Sequence, residues 1–94
     1  MYCVDTLTGE AVFELEVPRI AREVLLECFN QSERFCVPMQ RQESRWIARM
    51  ALASGWFFYR FKVDGRPRWD RGTGTARTAD GRRFSLAVIS RSRR

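Results

Sequence analysis

The chain has 94 residues, of which 45% are hydrophobic and 13% aromatic, and its net charge is +6. This length predicts one domain, residues 1–94, and this composition excludes a disordered chain. No apolar run approaches the roughly 20 residues that a membrane-spanning helix needs, so we expect no membrane partner. The first residues show neither a basic leader nor an apolar segment, which predicts a cytoplasmic protein.

The charge is distributed unevenly along the chain. Residues 1–59 hold six basic and eight acidic side chains, whereas residues 60–94 hold eleven basic and three acidic ones. Sixteen of the seventeen cations are arginine, whose planar fork binds carboxylates and phosphates. A genome rich in arginine codons would explain the preference for arginine but not the difference between the halves.

Two strands are predicted in the first third of the chain. Residues 11–17 alternate between apolar and acidic, as in a half-buried strand, and Pro18 ends them. Residues 23–29 alternate in the same way. A helix over residues 19–28 is the alternative, because apolar residues also recur there every fourth position.

The middle of the chain is less regular. Residues 30–43 are polar and predict mainly turns, with Phe35 or Met39 closing the edge of the core. Residues 44–52 alternate as a strand, although Ala, Arg and Met also favour a helix. The short link at residues 53–55 predicts that this strand forms a hairpin with the next one.

The clearest strand lies at residues 55–63, where aromatic residues recur at every second position. Asp64-Gly65 predicts a tight turn with positive φ, and Pro67 excludes a following central strand. The turn presents Trp69 among arginines. The residues predicted to face the core are Phe57, Tyr59, Phe61 and Val63.

The chain closes with a loop and one more strand. Residues 71–83 predict a loop that ends in a turn at Asp80-Gly81, and residues 84–89 predict a strand with Phe84, Leu86 and Val88 on one face. We interpret residues 11–89 as the core and residues 90–94 as a basic tail. Six to eight short strands without a clear helix predict an all-β antiparallel sandwich.

The order of several motifs resembles one known family. Phe29-Asn30, Trp46-Ile47-Ala48 and the run from Tyr59 to Gly65 stand as they do in the glycogen-binding module of AMP-activated protein kinase β subunits. They are equally similar to the early-set domain before the catalytic barrel of isoamylases and glycogen-branching enzymes. The resemblance spans roughly Val12 to Ile89. It implies an immunoglobulin-like (early-set) β-sandwich that binds α-glucan such as glycogen or starch without catalysis.

The resemblance also implies positions for a carbohydrate site. Arg60 occupies the position of the family's sugar-binding cation, and the family's asparagine falls near Arg82 or Arg83. Ser32 and Pro67 stand where the family has stacking tryptophans. Trp69 is the nearest aromatic replacement for the second of them.

The residues themselves suggest how sugar would bind. An exposed aromatic ring can stack on a pyranose while nearby polar groups orient it. We therefore expect Trp69 to serve as the platform, with Arg60, Lys62 and Arg66 donating hydrogen bonds. The alternative is that Trp69 folds over the edge of the sandwich. Trp46 and Trp56 are expected in the core or at its edge.

Catalytic and metal chemistry find no support in the sequence. Without histidine, Ser-His and Cys-His arrangements are excluded, and the acidic residues are scattered. The spacing of Cys3, Cys28 and Cys36 fits no zinc pattern, and we interpret them as reduced thiols with Cys28 buried. We expect no enzyme, no metal and no cofactor.

Two other functions remain open. Leu25, Ile47 and Phe58 are predicted to face solvent from one sheet, and such a stripe would dock a protein partner or a second copy. An acidic partner would suit Arg60 and Lys62 beside it. The arginine-rich half would also bind polyanions weakly, but no nucleic-acid signature accompanies it, so nucleic acid is the least favoured partner.

Overall fold

The computed structural model describes residues 1–17, 21–70 and 73–90, which form strands and no helix. Two antiparallel sheets pack face to face and confirm the predicted all-β sandwich, consistent with an immunoglobulin-like fold. No helix in these three ranges is long and apolar enough to span a membrane. The strands are β1 Tyr2–Val4, β2 Ala11–Glu16, β3 Val24–Phe29, β4 Arg34–Pro38, β5 Gln40–Gln42, β6 Arg45–Met50, β7 Gly55–Val63, β8 Arg66–Arg68, β9 Thr75–Arg77 and β10 Arg83–Ile89.

The strand order explains how the two sheets are built. The first sheet has the order β1-β2-β6-β5, and the second has the order β4-β3-β7-β10-β9, with β8 paired to the end of β7. Within the described ranges, six strands have five or more residues, in line with the six to eight expected. The other four are three-residue strands. All pairings between the described strands are antiparallel. The central strand β7 is bordered by β3 on one side and by β10 and β8 on the other.

The core lies between the sheets and depends on β7. Its two-residue period points Phe57, Tyr59 and Phe61 inward, where all three are fully buried. From the first sheet, Phe13 packs edge-on against Tyr59, with ring centroids 5.1 Å apart. Tyr2 completes the stack at 5.9 Å from Tyr59. The expected inward face of β7 is therefore confirmed.

The predicted hairpin between β6 and β7 is wrong. β6 pairs with β2 and β5 in the first sheet, whereas β7 lies in the second. The intervening residues cross from one sheet to the other, and Leu52 is fully buried between them. A hairpin would have kept both strands in one sheet, whereas β6 and β7 contribute buried residues to the core from opposite sheets. The prediction that Ile47 shares a sheet with Leu25 and Phe58 fails for the same reason.

Other expectations are also corrected. Residues 30–43 contain β4 and β5, and residues 71–83 contain β9, because edge strands can be formed by polar residues. The strand interpretation is confirmed for residues 24–28 and 45–50, while residues 19–20 of the rival helix lie outside the described residues. So do Pro18, Arg71-Gly72 and residues 91–94 of the predicted tail.

The turn after β7 has the predicted conformation. Asp64 and Gly65 have φ values of 50° and 85°, as a two-residue hairpin turn requires. The Asp64 carboxylate accepts the backbone N–H groups of Arg22 and Glu23 at 3.0 and 2.9 Å. The Asp64 N–H donates to the Glu23 carbonyl at 2.8 Å. This side chain therefore anchors the hairpin to the start of β3.

We expect Asp64→Ala to lower the free energy of unfolding by about 1–2 kcal/mol. It removes an acceptor for two N–H groups and places a Cβ-bearing residue without a local polar partner at positive φ. Asp64→Asn is the matched control, since asparagine tolerates this φ and keeps one acceptor oxygen, and it should cost less. Urea unfolding of both variants measures the difference. An Asp64→Ala variant as stable as the wild-type protein would show that the carboxylate does not anchor the turn.

Candidate functional site

Trp69 follows β8 and lies half-buried at the edge of the second sheet. Its Nε1–H donates to the carbonyl oxygen of Arg83 at 2.5 Å. The guanidinium carbon of Arg83 lies 5.9 Å from the centroid of the indole ring. The first residue of β10 thus fixes the orientation of the ring, so that Trp69 packs on the edge of the sandwich without being sealed inside.

A cleft of about 660 Å³ adjoins this tryptophan. Its volume lies within the range of about 300–1,000 Å³ that is typical of small-molecule sites. Its walls come from the end of β8, from the start of β10 and from the segment that leads into β9. The residues that line it are Pro67, Arg68, Trp69, Asp70, Thr73, Gly74, Thr75 and Arg83.

Asp70 connects the cleft with the core. The Tyr59 hydroxyl donates to its carboxylate at 2.7 Å, and its own N–H donates to the Ser85 hydroxyl at 3.0 Å. The carboxylate also forms an ion pair with the amino group of Met1. Burial raises the pKa of Tyr59 well above its usual value, and the Asp70 carboxylate adds to this effect. The Tyr59 hydroxyl therefore stays protonated and holds Asp70 in place.

The structure divides the residues that the sequence had grouped with Trp69. Arg60 and Lys62 lie on the opposite face of β7 from the core, where both pair with Glu27. Arg82 pairs with Asp80 at 2.9 Å. Arg66 is exposed on β8. None of these four cations lines the Trp69 cleft, whose described cations are Arg68 and Arg83.

Sequence reasoning missed several members of the cleft. Asp70 directly follows Trp69, and Thr73 and Thr75 belong to a short Thr-Gly-Thr run, so a local signal existed for all three. Arg83 had a signal only through the family resemblance, as one of two positions near the family's asparagine. It reaches Trp69 only because β10 returns beside β7, which is a pairing between distant parts of the chain.

A second surface is the outer face of the second sheet, by which we mean the solvent side of β3, β4, β7 and β10. The apolar end of this face consists of two cross-strand rows. Trp56 lies opposite Val88, and Phe58 lies between Phe29 and Leu86. Trp56 is 42% exposed, so its predicted place in the core or at its edge is wrong, whereas Trp46 is buried as expected. Trp56 faces outward because it is one residue out of step with the buried Phe57.

The orientation of β10 follows the same rule. Ser85, Ala87 and Ile89 face the core, and the apolar set at Phe84, Leu86 and Val88 faces outward. Phe84 is nevertheless buried, because Phe29 and Arg60 cover its ring at 4.9 and 4.7 Å.

The outer face is charged next to its apolar end. Glu27 accepts a hydrogen bond from Arg60 Nε at 2.7 Å, and Lys62 Nζ lies 3.6 Å from its other oxygen. Partial burial alone would raise the pKa of Glu27, but the hydrogen bond and charge of Arg60, with Lys62, outweigh it and hold the pKa below its ordinary value. These three residues form one partly buried ion cluster.

A smaller cleft of about 380 Å³ lies on this face between β4 and the turn before β10. Phe29 and Phe84 line it together with Arg34 from β4 and Arg82 from the turn. The Arg34 guanidinium carbon is 5.2 Å from the centroid of the Phe29 ring. This cleft and the Trp69 cleft share no lining residue.

Across residues 1–17, 21–70 and 73–90, no cluster of His, Cys, Asp and Glu could hold a metal ion. The three cysteines are free thiols, and only Cys28 is buried, as expected. Burial, with a contribution from Glu33, raises the pKa of Cys28 to about 12. The Cys28 thiol therefore stays protonated and packs in the core, and it does not act as a nucleophile.

The ion cluster around Glu27 predicts a dependence of stability on pH. The pKa of Glu27 in the folded state lies below its ordinary value of 4.5, so its contribution is present above that pH and is lost as the pH falls. We expect Glu27→Gln to lose less stability than the wild-type protein between about pH 5 and pH 3. Urea unfolding across this range measures the difference.

Two further variants serve as controls for this test. Arg60→Gln should flatten the pH dependence more than Lys62→Gln, because Arg60 is 2.7 Å and Lys62 3.6 Å from the carboxylate. If Glu27→Gln lost as much stability between about pH 5 and pH 3 as the wild-type protein, Glu27 would not be the group responsible for the pH dependence.

Comparison of the sequence with known proteins finds no matching family model and no matching curated protein. What the chain can do therefore has to be argued from its own residues. These provide a half-buried indole beside a polar cleft, and an apolar sheet face beside an ion cluster.

Proposed function

We propose that this chain is a non-catalytic carbohydrate-binding module that takes an α-glucan chain in the Trp69 cleft. The observation that carries the proposal is the fixed indole of Trp69 in the wall of a cleft of about 660 Å³. Apolar faces of pyranose rings stack on flat aromatic side chains. An indole held by its own N–H bond presents such a surface without having to be ordered on binding.

The polar groups around the indole suit sugar hydroxyls. Arg68 and Arg83 supply guanidinium donors, and the hydroxyls of Thr73 and Thr75 both donate and accept. Asp70 adds a carboxylate in a fixed position. A polar rim around one aromatic platform favours a hydroxyl-rich ligand over an apolar one.

Binding is favoured over hydrolysis by the number of carboxylates. Glycoside hydrolysis typically requires a pair of carboxylates on either side of the scissile bond. Among the described residues that line the cleft, Asp70 is the single carboxylate, and the Tyr59 hydroxyl already donates to it. The motif order shared with glycogen-binding modules adds support and suggests α-glucan as the sugar.

The proposal is tested by titrating the protein with maltoheptaose while amide shifts are followed by NMR. We expect millimolar sugar to shift amides near Trp69 and in residues 73–75, and Trp69→Ala to abolish these shifts. Trp56→Ala is the matched control, since it removes an indole from the outer face and should leave sugar binding unchanged.

A β-linked oligosaccharide such as cellohexaose provides the specificity control and should bind more weakly. No shifts at millimolar maltoheptaose would overturn the proposal. Amide shifts centred on Trp56 would show that the sugar binds the outer face, and they would overturn the assignment of the sugar site to the Trp69 cleft.

A further inference from the structure

Two exposed apolar residues of this protein lie side by side on the second sheet. Among the described residues, the large hydrophobic side chains that are exposed are Met1, Leu7, Trp56 and Val88. Trp56 and Val88, 42% and 58% exposed, lie directly opposite each other on β7 and β10. The half-buried Phe58 and Leu86 form the adjacent row. A contiguous patch of this kind marks an interaction surface, whereas single exposed residues do not.

The aromatic side chains of the patch pack against one another. The rings of Trp56 and Phe58 meet edge-on at 5.1 Å, and Phe29 lies 5.4 Å from Phe58. The side-chain amide of Asn30 donates to the Trp56 carbonyl at 3.4 Å. Little conformational entropy is therefore lost in ordering these side chains on binding. An exposed tryptophan that is already in place is a frequent binding hot spot.

The charge beside the patch identifies the chemistry of the partner. Arg34 lies over the Phe29 ring, and no described carboxylate pairs with it. Glu27 is shared by Arg60 and Lys62, so this cluster keeps one positive charge in excess. The surface next to the apolar patch is thus positive, and it complements carboxylates.

Two other occupants fit less well. The rings of Trp56 and Phe58 meet edge-on, so they do not form a row of parallel platforms on which successive bases could stack. A second copy related by a two-fold axis would place the same positive excess against itself. A protein segment that carries both apolar and acidic side chains satisfies the patch and the charge together.

We propose that the outer face of the second sheet docks an acidic segment of a partner protein that has aromatic or aliphatic anchors. The anchors cover Trp56 and Val88, and the carboxylates of the segment bind Arg34. This surface is separate from the Trp69 cleft, so the inference does not depend on carbohydrate binding.

The test uses short random peptides displayed on phage and selected on the folded full chain. We expect enriched peptides to combine aromatic or aliphatic residues with Asp or Glu. A synthetic copy of the best peptide should bind at least tenfold more weakly to Trp56→Ala, and more weakly to Arg34→Glu with less dependence on salt.

Two variants provide matched controls. Leu7→Ser removes a side chain that is 94% exposed but lies outside the outer face, and Trp69→Ala alters the other cleft. Both should bind the peptide like the wild-type protein. Because Leu7, Trp56 and Arg34 are exposed, their variants should fold, and amide spectra verify this.

Several results would overturn the proposal. These are the absence of enrichment, enrichment of basic peptides, and peptide binding that Trp56→Ala leaves unchanged. Binding of a single-stranded oligothymidine through Trp56 and Arg34 would assign the face to nucleic acid instead. A concentration-dependent dimer that Trp56→Ala dissociates would assign it to a second copy.

Discussion

The contact between Phe13 and Tyr59 ties the two sheets together, and the Trp69 cleft depends on the same tyrosine. The Tyr59 ring fills the centre of the core, 5.1 Å from Phe13, while its hydroxyl holds the carboxylate of Asp70. One side chain therefore joins the interior to the bottom of the Trp69 cleft. Burying this hydroxyl without a partner would be costly, so the same bond that satisfies the core also positions the site.

β7 generates both surfaces because its side chains alternate. Its inward residues build the core, and its outward residues run from the exposed Trp56 to the ion cluster of Arg60 and Lys62. The turn at Asp64 then returns the chain through β8 to Trp69. β7 thus sets the positions of both the cleft at the sheet edge and the patch on the sheet face. This arrangement gives each surface a preformed geometry.

The two surfaces differ in chemistry, and this difference supports two ligands rather than one. The Trp69 cleft combines one indole with hydroxyl and guanidinium groups, which suits a sugar. The outer face combines aliphatic and aromatic side chains with excess positive charge around Glu27, which suits an acidic protein segment. Together the proposals describe a module that holds a glucan at its edge while a partner covers its face.

The sequence by itself determined the class of the fold, the alternation of β3 and β7, and the turn at Asp64. Each of these depends on side chains a few residues apart, and local geometry decides them. Alternation distinguishes two faces of a strand, but the pairing with distant strands decides which face is buried.

Only the tertiary structure therefore sent β6 to the first sheet and brought Arg83 to Trp69. It also paired Arg60, on the outward face of β7, with Glu27 of the neighbouring strand β3. Residues far apart in the chain meet only after the sheets have formed, and no local pattern records which of them will be neighbours.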